Sequence, residues 1–172
     1  MEFIESGMTF SFPDSDIFQI EKCPTYKSLN SSSKICECIV KQKEKNRLFI
    51  IEAKTSFSNP KTNDGKNFDE NVNDIIQKIL NSITLYYGLL LNRPYQMKST
   101  LPKNLDFAAF SQRQYSIMPV LIISDFEEAW LPPVKDALNS CIKKYPFTKF
   151  LVLEDIQVLN RQMAKDRKLI TD

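Results

Sequence analysis

Apolar residues in this chain fall into short runs separated by polar turns, with one long stretch of a different period. Arg47–Lys54 (Arg-Leu-Phe-Ile-Ile-Glu-Ala-Lys) holds four consecutive apolar residues, Leu48 to Ile51. That is the pattern of a strand covered on both faces. Lys34–Lys41 reads as the strand before it, and the lysine-rich stretch Gln42–Asn46 joins the two as a β-hairpin. From about Phe68 to Leu91 the period changes. Ile75, Ile76, Ile79, Leu80, Ile83, Tyr86, Tyr87 and Leu90 recur at helical spacing as one wide apolar face, which Asn92-Arg93-Pro94 ends. Tyr115–Ser124 closes on a continuous apolar run and predicts a central parallel strand. Pro119 belongs near its start, because proline donates no ladder hydrogen bond. Pro132-Pro133 suits the first turn of a helix reaching about Lys144. Phe147–Leu153 predicts a further strand, Ile156–Lys168 a last helix, and Asp16–Glu21 alternates weakly as a first strand. The order β-β-β-α-β-α-β-α predicts an α/β fold in which a mixed sheet with an antiparallel hairpin is flanked by helices.

Composition narrows the chemistry. The 172 residues, 42% of them hydrophobic, suit one well-cored domain. With 23 basic and 21 acidic residues the net charge is only +2, so any nucleic-acid binding must come from local clusters. The start, Met-Glu-Phe-Ile-Glu-Ser-Gly, is acidic and unlike a signal peptide, and no apolar run reaches membrane-spanning length. The expectation is a cytoplasmic protein without membrane partners. Of the four cysteines, Cys36 and Cys38 form a C-x-C with no second pair at zinc-site spacing, so buried free thiols are expected. Histidine is absent, which removes Ser-His, Cys-His and His-metal mechanisms. Three glycines cannot build a phosphate-cradling loop.

Carboxylates, lysine and a metal remain. Glu52 and Lys54 lie two apart at the end of an apolar strand and therefore share a face. An acid-x-lysine triplet arises by chance about once in a chain of this makeup, and Asp166-Arg167-Lys168 is a second. The position at a strand end distinguishes the first, since burying either charge alone is costly. On the preceding strand Glu37 lies between two cysteines, 15 residues before Glu52, a spacing that fits strand, turn and returning strand. Glu37, Glu52, the backbone carbonyl of Ala53 and water would make an all-oxygen shell for Mg²⁺ or Mn²⁺.

In these residues the chain resembles the restriction-endonuclease-like PD-(D/E)xK nuclease superfamily, over about residues 15–125, with 126–172 as an added α/β segment of the same single domain. The resemblance implies Glu37 in the first acidic position, Glu52 and Lys54 as the Glu-x-Lys pair, and a metal-dependent nuclease. That enzyme would hydrolyse phosphodiester bonds, expectedly of DNA, with Mg²⁺ or Mn²⁺ as cofactor. Two departures stand out. The family's usual aspartate is replaced by the longer Glu37, and a literal Pro-Asp occurs at Pro13-Asp14, 38 residues before Glu52 in a turn-like segment. Asp14, Asp16 or Glu21 is the alternative or supplement to Glu37, and Glu2 or Glu5 could serve as the extra N-terminal glutamate of some members. Gln77 is present, but Tyr86 and Tyr87 are badly spaced from it for the glutamine-to-tyrosine signature of RecB-like members. The basic cluster Lys41, Lys43, Lys45 and Arg47 reads equally as a solvated turn or as phosphate contacts beside the site, which Lys61 and Lys66 could also approach. No DNA-reading module is evident, so a partner is expected: a homodimer, or an ATPase or SMC-like subunit in a bacterial restriction or anti-phage defence complex. The alternatives are a catalytically inactive nuclease-like scaffold that mediates protein or DNA binding, and an unrelated α/β binding protein.

Overall fold

The computed structural model describes residues 1–29, 33–42, 46–59, 65–91, 99–106 and 115–172, with backbone only at 65 and 66. The chain is an α/β protein with a five-stranded mixed sheet and a separate two-stranded antiparallel hairpin. The hairpin comes first, β1 (Glu2–Glu5) and β2 (Met8–Ser11). Its two-residue turn, Ser6-Gly7, has φ of 50° and 71°, the left-handed backbone that matches the twist of paired strands. The large sheet has the order β3 (Ile17–Phe18), β4 (Cys38–Gln42), β5 (Arg47–Lys54), β6 (Ser116–Ile123), β7 (Gln157–Asn160). β3, β4 and β5 pair antiparallel, whereas β5, β6 and β7 run parallel. A short α1 (Pro24–Ser28) precedes β4.

Side-chain alternation divides the core in two. Leu48 and Ile50 of β5, with Ile39, Ile117, Leu121 and Ile123, face the long helix α2 (Gly65–Leu90) and α3 (Leu131–Ile142). Ile51 and Ala53, with Cys38, Val40, Val120 and Ile122, face the β1–β2 hairpin and the C-terminal residues. β5 is thus covered on both sides, as its apolar run requires. At 1.5 Å per residue α2 is about 39 Å long, and its isoleucines at 75, 76, 79 and 83 are all buried.

Pro119 lies inside β6 and not at its start, pairing with Ile50. The ladder explains how it is tolerated. Ile117 donates to Val152 and accepts from Glu154, so it faces the β7 side, as does Pro119 two residues on. Beyond the Ile117–Leu153 bridge, pairing with β7 resumes only at Val120. The missing amide hydrogen falls in that gap.

The last third differs from the sequence expectation. Pro146–Leu151 winds as a 3₁₀ helix, with Phe147 and Phe150 exposed, so Phe147–Leu153 is not a strand. Pro146 presets the φ of a helical first turn, and only Leu153 reaches the sheet. The strand is β7, in the opening residues of the expected last helix. That helix, α4 (Arg161–Asp166), starts where the Asn160 side chain caps the Met163 amide at 2.9 Å. No helix among the described residues is long and apolar enough to cross a membrane.

Candidate metal centre

The register of β4 against β5 pairs Cys38 with Ile51 and Ile39 with Ile50. Glu37 is the residue before the first of these pairs, so the ladder does not itself pair it with Glu52, the partner the spacing predicted. Glu37 lies in the bend just before β4, and its amide donates to Ile51 O at 3.1 Å. Both carboxylates are buried, Glu52 at 1% exposure and Glu37 at 8%. The charge of Glu52 is felt at Glu37, but the two have different immediate partners, and Glu52 is not among the carboxylates gathered around Glu37.

Glu37 gathers with Glu5 and Glu21, one carboxylate oxygen from each lying within 4.8 Å of the others. Three remote segments meet here. Glu5 ends β1 at the hairpin turn, Glu21 sits on the 3₁₀ turn Ile20–Lys22, and Glu37 enters β4. The hairpin tip is fastened over this end of the sheet, since Ser6 Oγ donates to Ala53 O at 3.0 Å and Arg161 Nη2 to Gly7 O at 2.8 Å. Burial, a hydrogen bond with Glu21 and the charges of Glu52, Glu21 and Glu5 push the Glu37 carboxyl up to about 9. At neutral pH it holds a proton where a cation is absent.

Glu52 points to the α2 face with Lys54, as alternation requires. Its Oε1 accepts from Lys78 Nζ at 2.6 Å, and Lys54 Nζ lies 3.6 Å from the same oxygen. Lys54 also lies 4.0 Å from Asp74 Oδ2, whose other oxygen takes Lys34 at 2.7 Å. Burial raises the Glu52 carboxyl, while Lys78 and then Lys54 pull it back. For Lys78 burial acts to lower the ammonium, but Glu52 outweighs it and the net shift is upward. The geometry describes a buried ion pair, and removing one partner of such a pair costs about 3–5 kcal/mol. Glu52 Oε2 is buried and has no hydrogen-bond partner among the described residues.

Asp74, Lys78 and Ser82 are four apart and form one polar stripe on α2. Ser82 Oγ accepts from the amide of Cys36 at 2.8 Å and donates to Lys78 O at 2.8 Å. One helix stripe therefore holds both acid-bearing segments, Ser82 beside Glu37 and Lys78 on Glu52. Sequence reasoning missed Lys78, Asp74 and Ser82. The available signal was a lysine and a serine set among the isoleucines that face the sheet. Gln77 points elsewhere, donating to Tyr145 Oη at 3.0 Å.

The N-terminal acids separate cleanly. Asp14 is exposed and pairs with the N-terminal ammonium at 2.5 Å. Asp16 is buried beside Asn104, and its carbonyl accepts from the Lys41 amide, at the end of β4 away from Glu37. Glu2 lies at the far end of the small hairpin opposite Ser11. Glu21 and Glu5 alone join Glu37. The expected shell also changes in detail, because Ala53 O already accepts from Ser6.

The described members of the basic cluster, Lys41 and Arg47, are not beside the carboxylates. Lys41 pairs with Leu48, and Gln42 with Arg47, at the opposite end of β4 and β5. At 3.3 Å per residue Lys41 lies about 13 Å from Glu37, and Arg47 about 17 Å from Glu52, along their own strands. Lys41 stacks over the Tyr115 ring at 5.7 Å, and Arg47 pairs with Glu154 at 2.6 Å. Lys43, Lys45 and Lys61, and the side chain of Lys66, lie outside the described residues. All four cysteines are buried free thiols. Burial first, then the Glu52 and Glu37 charges, raise Cys36 and Cys38, which disfavours the thiolate a zinc site needs. Comparison with family models, with curated proteins and with solved structures at large finds no match to this chain.

Proposed function

We propose that this protein is a metal-dependent nuclease of the PD-(D/E)xK kind, acting on DNA, with Glu37, Glu52 and Lys54 at its centre and Mg²⁺ or Mn²⁺ as cofactor. The observation that carries this reading is the meeting of three glutamates, Glu5, Glu21 and Glu37, beside the start of β4. One oxygen of each carboxylate lies within 4.8 Å of the others, and Glu52 Oε2, outside that cluster, is buried with no hydrogen-bond partner among the described residues. A proton on Glu37 or a bound cation relieves the repulsion in such a cluster, and hard oxygen donors suit a hard divalent cation. Glu37 with Glu5 and Glu21, and Glu52 through Oε2, are the residues that would hold it. Bound there, the cation supplies Lewis-acid polarisation and lowers the pKa of a water ligand.

The chain's own groups divide the remaining work. Glu52 lies beside two ammonium groups, those of Lys78 and Lys54. Lys54, one third exposed, is the cation that can reach a phosphate oxygen or orient the attacking water. Glu21 is exposed and Glu37 buried, so the cluster runs from solvent into the protein and substrate enters from the Glu21 side. A partner, a second copy or an ATPase-type subunit, supplies the DNA-reading surface that this chain lacks in sequence.

The test is cleavage of supercoiled plasmid, linear duplex and single-stranded DNA in Mg²⁺, Mn²⁺ or EDTA, with Glu52→Gln and Lys54→Met alongside. Cutting in metal that both variants lose by at least about 100-fold supports the reading. Binding of Mn²⁺ by calorimetry with no cutting of any substrate, alone or with an added partner, would favour the inactive scaffold. Absence of both metal binding and cutting sinks the proposal.

A further inference from the structure

We propose that Lys78 is the positioning residue of this centre. Its ammonium occupies Oε1 of Glu52 and so reserves Oε2 for the cation, leaving Lys54 as the lysine that faces substrate. The inference rests on the metal-dependent reading above and assigns separate tasks to two lysines on one carboxylate.

The geometry distinguishes them. Lys78 Nζ is 2.6 Å from Oε1 with its side chain 13% exposed, whereas Lys54 Nζ is 3.6 Å away and 33% exposed. The first distance is a charge-assisted hydrogen bond, and the second is Coulombic proximity only. Lys54 is shared with Asp74 at 4.0 Å, a loose arrangement that a substrate phosphate can displace. Lys78 comes from the middle of a 26-residue helix whose neighbouring isoleucines are buried, so its anchor is rigid. Glu52 Oε2 is the one buried oxygen of the pair without a partner.

A carboxylate with both oxygens unclaimed can chelate a cation in two ways or swing between them. An ammonium fixed on one oxygen removes that choice and presents a single oxygen in a single direction. Orientation of ligands by such outer partners is commonly worth 10–100-fold in activity. Lys78 also places its positive charge on Glu52 Oε1, so it would direct the carboxylate without tightening a cation on Oε2. The Ser82 bond to the Cys36 amide comes from the next turn of the same helix. Helix α2 therefore holds the two acid-bearing segments at a fixed separation.

The experiment measures Mn²⁺ affinity by calorimetry and plasmid cleavage in parallel for wild type, Lys78→Met, Lys78→Arg and Lys54→Met, with circular dichroism to establish folding. Lys78→Met is expected to lower kcat by about 10–100-fold, with KM for DNA unchanged and Mn²⁺ bound as tightly as in wild type or several-fold tighter. Lys78→Arg, which keeps charge and donor, is expected to recover part of the loss. A merely structural lysine would move affinity and activity together. Should Lys78→Met fail to fold, Lys78→Gln keeps a donor without the charge and is expected to show the same split. Cleavage within threefold of wild type, or loss of Mn²⁺ binding in a folded Lys78 variant, overturns the inference. Wild-type protein that neither binds Mn²⁺ nor cuts overturns the underlying reading instead, and this inference with it.

Discussion

Glu37→Gln is the perturbation whose consequence can be worked through most fully, because it changes one atom type and no shape. In the folded protein the Glu37 carboxyl is raised to about 9 from an ordinary 4.5. Below the ordinary value both folded and unfolded chains carry the proton, and the group makes no difference. Above it the unfolded chain releases the proton while the folded chain keeps it. Folding stability is therefore fully present below about 4.5 and is lost as pH rises toward 9. The slope for one proton is at most about 1.4 kcal/mol per pH unit. The cluster opens to solvent at Glu21, so we halve that for screening, giving about 1–2 kcal/mol between pH 5.5 and 7.5. For a chain of this size that is about 2–8 °C in Tm. A cation that replaces the proton should reverse the loss, by about 2.7 kcal/mol at 100 times its Kd. The assay is differential scanning fluorimetry from pH 5.5 to 8.5, in EDTA and in Mg²⁺ or Mn²⁺. In EDTA wild type should lose stability with pH more steeply than Glu37→Gln, and the variant should be the more stable at pH 7.5. Metal should raise the wild-type Tm and leave the variant nearly unmoved. Parallel curves in EDTA together with equal metal shifts would refute the reasoning.

Two further substitutions test how the centre is held. Ser82→Ala removes the acceptor of the buried Cys36 amide and leaves that donor unsatisfied, so urea unfolding should show a loss of about 1–3 kcal/mol. Calorimetry should show weaker Mn²⁺ binding in the same variant, because the segment carrying Glu37 loosens. Gly7→Ala places a side chain at φ 71° beside Arg161 Nη2 at 3.6 Å. The left-handed conformation costs about 1–2 kcal/mol, read by urea unfolding, and Mn²⁺ affinity should fall as the hairpin tip bearing Glu5 shifts. An unchanged affinity in Gly7→Ala would remove Glu5 from the ligand set.

Much of the sheet was legible because its signals are local and strong. The apolar run of β5 and the period of α2 specify their elements whatever surrounds them, and the 15-residue separation brings Glu37 and Glu52 to the same end of the paired β4 and β5. The last third was not legible in the same way. Phe147, Phe150 and Val152 look like strand residues but stay at the surface, and only tertiary placement shows that the chain turns at Pro146 and rejoins the sheet later. The centre divides along the same line. Glu52 and Lys54 follow from alternation and Glu21 was one of three N-terminal candidates, whereas Lys78 is an ordinary charged residue until the fold brings α2 against Glu52. The basic cluster shows the limit of proximity in sequence, since its described members Lys41 and Arg47 lie a strand's length from Glu37 and Glu52. An antiparallel turn lies a strand's length from the far ends of its two strands.

The glutamate at position 37 raises the question of whether the centre needs a charge there or a reach. A shorter aspartate keeps the charge but draws the carboxylate back by about one carbon–carbon bond, roughly 1.5 Å. Glu37 meets Glu5 and Glu21 from the bend before β4, and the three oxygens lie within 4.8 Å. A retreat of that size is large against the tolerance of a ligand set, where about 1 Å of misplacement can cost 10²-fold in rate. Glu37→Asp should therefore bind Mn²⁺ at least about tenfold more weakly than wild type. Glu21 and Glu5 keep their own lengths, so neither can follow Asp at 37 inward without moving the hairpin tip that Ser6 and Arg161 hold. If the requirement is charge alone, Glu37→Asp would match wild type in Mn²⁺ affinity while Glu37→Gln would not. That result would transfer the ligand role from the three-glutamate cluster to Glu52 and leave Glu37 as a remote influence on it.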